Sequence, residues 1–96
     1  MKKRWDNNNT RDLIKAIITL RTAGEAKRFF RDLLTEEELV EFGKRWLAAR
    51  LLSRGVSYTK INNRTRLGSK TIARVSYWLN RAGMNGYRLM LKRIEK

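Results

Sequence analysis

The side chains of this chain best suited to chemistry are cations. Between Ser57 and Asn80 stand Lys60, Arg64, Arg66, Lys70 and Arg74, and no Asp or Glu falls among them. The hydroxyls of Ser69, Thr71 and Tyr77 and the small side chain of Ala73 lie between them. Guanidinium and ammonium groups without nearby carboxylates are anion ligands. A guanidinium presents a planar fork of N–H donors that matches phosphate oxygens or paired acceptors. Bond-making chemistry has little to work with. The chain contains no His and no Cys, and all but one of its nine carboxylates fall in residues 1–53. No nucleophile with its base, no acid–base pair and no thiolate or imidazole zinc site is expected. No cofactor is expected either, and the residues point to a binding protein rather than an enzyme.

The charge is unevenly spread. The 96 residues carry a formal net charge of +14. Residues 54–96 hold eleven Lys and Arg against one acid, Glu95, whereas residues 1–53 hold twelve against eight. A polyanion is the expected partner, and it should sit on the second half. Hydrophobic residues make up 42% of the chain, enough for a folded core. The N-terminal MKKRWDNNNTRD runs from basic to polar residues without an apolar stretch of secretory length. The apolar run LIKAIITL is too short to span a bilayer. A cytoplasmic, nucleoid-associated protein with no membrane partner is the resulting expectation.

The elements that must position these cations read as helices throughout: an all-α chain of about six. There is no proline, and no segment alternates apolar and polar residues over a strand's length. Residues 1–10 read as a flexible basic arm, and residues 11–96 as one helical domain. Thr10 is the expected cap of a first helix over about 11–21. Thr22 and Glu25 have capping-box spacing before a second, and Thr35 and Glu38 repeat it before a third over 36–53, which Gly55 should stop. Ser57 should cap a short helix over about 58–65. A turn follows at Arg66-Leu67-Gly68, then a helix over about 69–80, a loop at 82–86 and a last helix over 87–94.

Two short helices around a tight turn within about 58–80 form a helix-turn-helix pattern. In the second, Ile72, Val75 and Leu79 recur on one side and anchor it. Lys70, Thr71, Ala73, Arg74 and Tyr77 lie on the other. The major groove of duplex DNA admits one such helix, whose N-terminal residues meet base edges. Ser69, Lys70, Thr71, Ala73 and Arg74 suit that role, and Lys60, Arg64 and Arg66 suit phosphates. The partner expected is double-stranded DNA.

Residues 33–79, LLTEEELVEFGKRWLAARLLSRGVSYTKINNRTRLGSKTIARVSYWL, resemble the Trp-repressor superfamily. The resemblance rests on LLT before an acidic helix start, on FGKR within that helix and on LGSKTIARVS. YWLN followed by a Gly-containing loop and YRLML is similar in particular to the YerC/YecD branch. The resemblance extends over about residues 11–94. It implies an intertwined all-helical homodimer that binds DNA as a transcription regulator, most often a repressor. It also implies a ligand pocket. In the tryptophan-binding members two arginines sandwich the indole and a threonine contributes. These fall on Arg45, Arg74 and Thr35. The glycine that leaves room for the ring is replaced here by Val75, so binding of L-tryptophan is not expected. The family often has Gly where this chain has Arg66. Either Arg66 adopts an ordinary conformation or Gly68 takes part of the bend. Two other functions remain open on the residues alone: the DNA-end-binding module of a transposition system, and an RNA-binding or ribosome-associated protein.

Overall fold

The computed structural model describes residues 3–82 and 84–95. Met1 and Lys2 of the expected arm, Gly83 of the expected loop and Lys96 lie outside them. The described residues form six α-helices: α1 (Asn8–Ile17), α2 (Ala23–Leu33), α3 (Glu36–Ser53), α4 (Tyr58–Thr65), α5 (Ser69–Tyr77) and α6 (Gly86–Ile94). A π-helical turn, Trp78–Ala82, continues from α5. No strand occurs among the described residues. The chain divides into two compact units, Met1–Leu39 and Val40–Lys96.

Local capping explains the elements of the first unit. α1 starts earlier than expected because Asn7, not Thr10, caps it. The Asn7 side chain accepts from the Thr10 N–H at 3.0 Å, and the Thr10 hydroxyl accepts from the Asn7 N–H at 2.9 Å. Thr10 is thus the third helical residue of a reciprocal capping box, and the helix takes up the end of the stretch read as an arm. α2 begins as expected, with Thr22 accepting from the Glu25 N–H at 3.1 Å. Thr35 and Glu38 close the box that starts α3, with bonds of 3.1 and 2.9 Å. Glu36, Glu37 and Glu38 then lie at the positive end of the helix dipole.

α1 and α2 are strongly amphipathic, yet neither contains a buried residue. Ile14 and Leu33 are half-exposed and Ile18, just past α1, more so.

The second unit has the core. Ala48, Ala49 and Leu51 of α3 pack with Ile61 of α4, Leu67 of the turn, and Ile72 and Val75 of α5. Leu79 and Leu91 are buried as well. α3 stops in a Schellman motif. Gly55 adopts φ +81, its N–H reaches the Leu52 carbonyl at 3.0 Å, and the Val56 N–H reaches that of Leu51 at 3.1 Å. α5 ends three residues before its expected limit, where the backbone widens into the π turn. Ala82 belongs to that turn and Gly86 opens α6, so the expected 82–86 loop is shorter at both ends.

Candidate nucleic-acid interface

Ser57 places the first helix of the motif, its hydroxyl accepting from the Lys60 N–H at 3.3 Å. Ile61, fully buried, fixes which way α4 faces, so Lys60 and Arg64 lie on its exposed side. α4 has no acidic residue in its first turn, and neither has α5. The positive ends of both helix dipoles are therefore left for an outside anion.

The turn overturns an expectation. Arg66 is the left-handed residue, at φ 64 and ψ 13, while Gly68 takes an ordinary extended φ of −68 as the cap of α5. Gly68 relieves nothing. The strained conformation persists because its neighbours hold it from both sides. The Asn62 side-chain amide donates to the Leu67 carbonyl at 2.6 Å. The buried Thr65 hydroxyl donates to the Ile61 carbonyl at 2.8 Å and accepts from the Leu67 N–H at 3.1 Å. Leu67 itself is driven into the core, only 4% exposed. Replacing Arg66 by Gly should therefore stabilise the fold. The left-handed penalty of about 1–2 kcal/mol is removed, and glycine's extra chain entropy returns only about 0.5–1. Thermal unfolding should show a rise of a few degrees; a lower Tm would mean that the Arg66 side chain itself supports the turn.

α5 is held by Ile72 at 0% and Val75 at 3% exposure. That anchoring turns Ser69, Lys70, Ala73, Arg74 and Tyr77 to solvent. Thr71 departs from the expected arrangement. It is half-buried, and with Arg45, Arg74, Val75, Trp78 and Tyr87 it lines a cavity of about 90 Å³. Among the described residues, none of Lys60, Arg64, Arg66, Lys70 and Arg74 forms an ion pair. The intervening chain has no carboxylate from Phe42 to Ile94. Five cations therefore stand on or beside the two helices without an internal partner.

The residues matched to a ligand pocket by resemblance do different work. Thr35 spends its hydroxyl on the α3 cap. Arg45 pairs with Glu41 one turn earlier at 3.3 Å and lies over the Phe42 ring, 5.9 Å from its centroid. Val75 is core, as its place on the anchoring side requires. The cavity between the two arginines equals a few waters at roughly 30 Å³ each and falls well short of the roughly 300–1,000 Å³ of small-molecule sites. Two features carry no signal in the sequence. One is the turn lock through Asn62 and Thr65. The other is an aromatic groove in which Trp46 of α3 stacks on Tyr87 of α6, centroids 6.2 Å apart and planes 26° apart.

An α4–turn–α5 unit anchored by its apolar side, with a cationic face turned outward, defines a helix-turn-helix protein. The chain belongs to the Trp repressor protein family, whose model matches residues 8–95. That is a family of helix-turn-helix DNA-binding regulators. An uncharacterized protein, YerC, of Bacillus subtilis strain 168 is 36% identical over 84 residues, which is 88% of this chain and 80% of the relative. Two solved structures share the fold. A TrpR-like protein from Eubacterium eligens superposes with a TM-score of 0.90 at 29% identity, over 98% of this chain and 96% of the other. A candidate Trp repressor from Staphylococcus aureus does so with a TM-score of 0.88 at 27% identity and the same coverage. Among the described residues, no helix is long and apolar enough to cross a membrane.

Proposed function

We propose that the protein is a sequence-specific transcription regulator, acting as a repressor, which binds duplex DNA as a homodimer in the cytoplasm, on the nucleoid. The observation that carries this reading is the exposed face of α5. Lys70, Ala73, Arg74 and Tyr77 share one side of a helix whose other side is buried through Ile72 and Val75. In this reading residues 11–96 work as one DNA-binding domain. Lys70, Arg74 and Ser69 reach base edges, with Ala73 and Tyr77 completing the surface, and Thr71 supports it from its half-buried position. Lys60, Arg64 and Arg66 hold phosphates, which positions the helix without reading sequence.

Selection from a random duplex pool tests the reading. It should return one recurrent motif with two related halves, because a two-fold protein reads a two-fold site. Arg74→Ala should weaken binding to that motif by about 10–100-fold and relax preference at one base pair, since a bidentate contact discriminates by about 1–3 kcal/mol. Lys60→Ala should weaken all sequences alike. Enrichment of structured RNA over duplex DNA at one salt concentration would overturn the assignment.

In the same reading DNA binding needs no tryptophan. Val75 sits where an indole would have to enter, and forcing a ring into a packed site costs typically about 1–3 kcal/mol. Calorimetric titration with L-tryptophan should show no saturable heat up to millimolar ligand, and affinity for the selected motif should be the same with and without it. Saturable micromolar binding that raised DNA affinity would contradict this.

A further inference from the structure

The helix-turn-helix holds five of the eleven cations of residues 54–96, so much of that charge lies elsewhere. Arg54 pairs with Glu95 at 4.0 Å. Among the described residues, Arg81, Arg88, Lys92 and Arg93 have no carboxylate partner, and all four are exposed. Arg81 lies in the π turn that continues α5, and α6 packs against that turn. Arg88 is held in place. Its guanidinium donates to the Asn80 side-chain oxygen at 2.5 Å, and the Asn80 amide donates to the Ser76 hydroxyl of α5 at 3.4 Å. An exposed guanidinium of α6 is thereby tied to the helix assigned to the groove. Nearby, a hollow of about 150 Å³ is lined by Trp78, Leu79, Asn80, Arg81 and Asn85, with no acid among them. The Asn85 side chain makes no cap bond to α6. The hollow has room for a few waters at roughly 30 Å³ each and is smaller than the roughly 300 Å³ at which small-molecule sites begin. It suits one anionic group of a larger partner.

We infer that Arg81 and Arg88, with the amides of Asn80 and Asn85, form a second phosphate-binding surface that grips the DNA backbone beyond the base pairs read by α5. This rests on the duplex binding proposed for α4 and α5. Arg81 comes four residues after Tyr77, about one turn of a π segment, so it extends the row of Lys70, Arg74 and Tyr77. A backbone that follows that row meets Arg81 next, and Arg88 beside it. The bond from Asn80 fixes the Arg88 side chain in advance, which lowers the entropy lost when it meets a phosphate. Arg88 and Lys92 stand one turn apart on one flank of α6, and Lys92 adds to the local positive potential. Met90 and Ile94 stand on the other flank, and Met90 lines the aromatic groove with Trp46, Trp78 and Tyr87. A second copy seated on that apolar flank leaves the cationic one open, so the surface is compatible with the proposed homodimer. Two contacts of this kind per protomer add four to the six expected from Lys60, Arg64 and Arg66.

The test measures affinity of the full chain for the selected motif and for a duplex of arbitrary sequence, at several salt concentrations. Arg88→Ala in both protomers should lower the slope of log affinity against log salt by nearly two on both duplexes. Between roughly 50 and 200 mM salt the variant should therefore lose about tenfold less affinity than the unmodified protein does. Its preference for the motif over the arbitrary duplex should not change, since phosphate contacts carry no sequence information. Arg88→Lys should restore the slope. Asn80→Ala keeps the charge but frees the guanidinium, and should weaken both duplexes about 2–10-fold with the slope unchanged. Arg93→Ala, on the outer side of α6, should leave the slope nearly as it was. Helical circular dichroism should be the same in all four variants, because each side chain is exposed. An unchanged slope in Arg88→Ala, or an equal loss in Arg93→Ala, would overturn the inference and leave these cations to an acidic protein surface or to solubility. Unchanged affinity in Asn80→Ala would overturn the part given to Asn80. If Arg74→Ala still relaxes the motif while Arg88→Ala changes nothing, only this inference falls. If no motif is recovered, the reading of α5 falls with it.

Discussion

Affinity for the selected DNA motif is expected to fall roughly 10³–10⁵-fold between 50 and 200 mM salt. The estimate takes about 6–10 phosphates neutralised by a dimer, each releasing its condensed counterions. Lys60, Arg64 and Arg66 supply the phosphate contacts of each protomer in this reading, so a dimer reaches six before any other cation is added. The structure makes the number plausible because these side chains are exposed and bound to no carboxylate. Charges already paired within the protein would release fewer counterions. The check is a plot of log affinity against log salt. Arg64→Ala in both protomers should reduce its slope by nearly two. A nearly flat plot would mean that the +10 of residues 54–96 only keeps the protein in solution.

The second large effect is expected from Ile14→Glu. Ile14 is 56% exposed in the single chain, where a polar replacement would cost within about 0.5 kcal/mol. If α1 and α2 bury their apolar sides against a second copy, the same substitution forces a carboxylate into that interface, which is far more costly. Sedimentation of the unmodified protein at micromolar concentration should give twice the chain mass of 11.4 kDa. Ile14→Glu should give a monomer, or a chain that no longer folds, and DNA affinity should drop by about 10²–10⁴ because two linked half-site contacts become one. A monomeric unmodified protein, or a variant that dimerises and binds as before, would refute the role given to these helices.

The all-helical class, the helix-turn-helix and its anchoring side chains were legible in the residues, because each depends on contacts within a few positions. Thr35 and Glu38 start α3, and Gly55 stops it, through bonds that close inside one turn. Ile72, Val75 and Leu79 declare their side by spacing alone, and all three are buried. The start of α1 was misplaced because Asn7 and Thr10 are both capping residues three apart, and their order in the box is a matter of geometry rather than type.

Tertiary structure decided the rest. Nothing local marks Arg66 as left-handed. The Asn62 and Thr65 bonds that brace it reach only five and two residues along the chain, but they need Leu67 turned inward, and Leu67 is buried in a core that α3, α4 and α5 build together. Thr71 is half-buried because it lines a cavity with Arg45 of α3 and Tyr87 of α6, a meeting of three helices, whereas the pairing of Arg45 with Glu41 spans a single helical turn and follows from their spacing. The aromatic groove draws on Trp46, Trp78 and Tyr87 from three separate elements, so no spacing along the chain could show it. Short-range hydrogen bonds and helical periodicity are written into the order of residues, whereas cavities and strained turns arise where distant side chains compete for the same space.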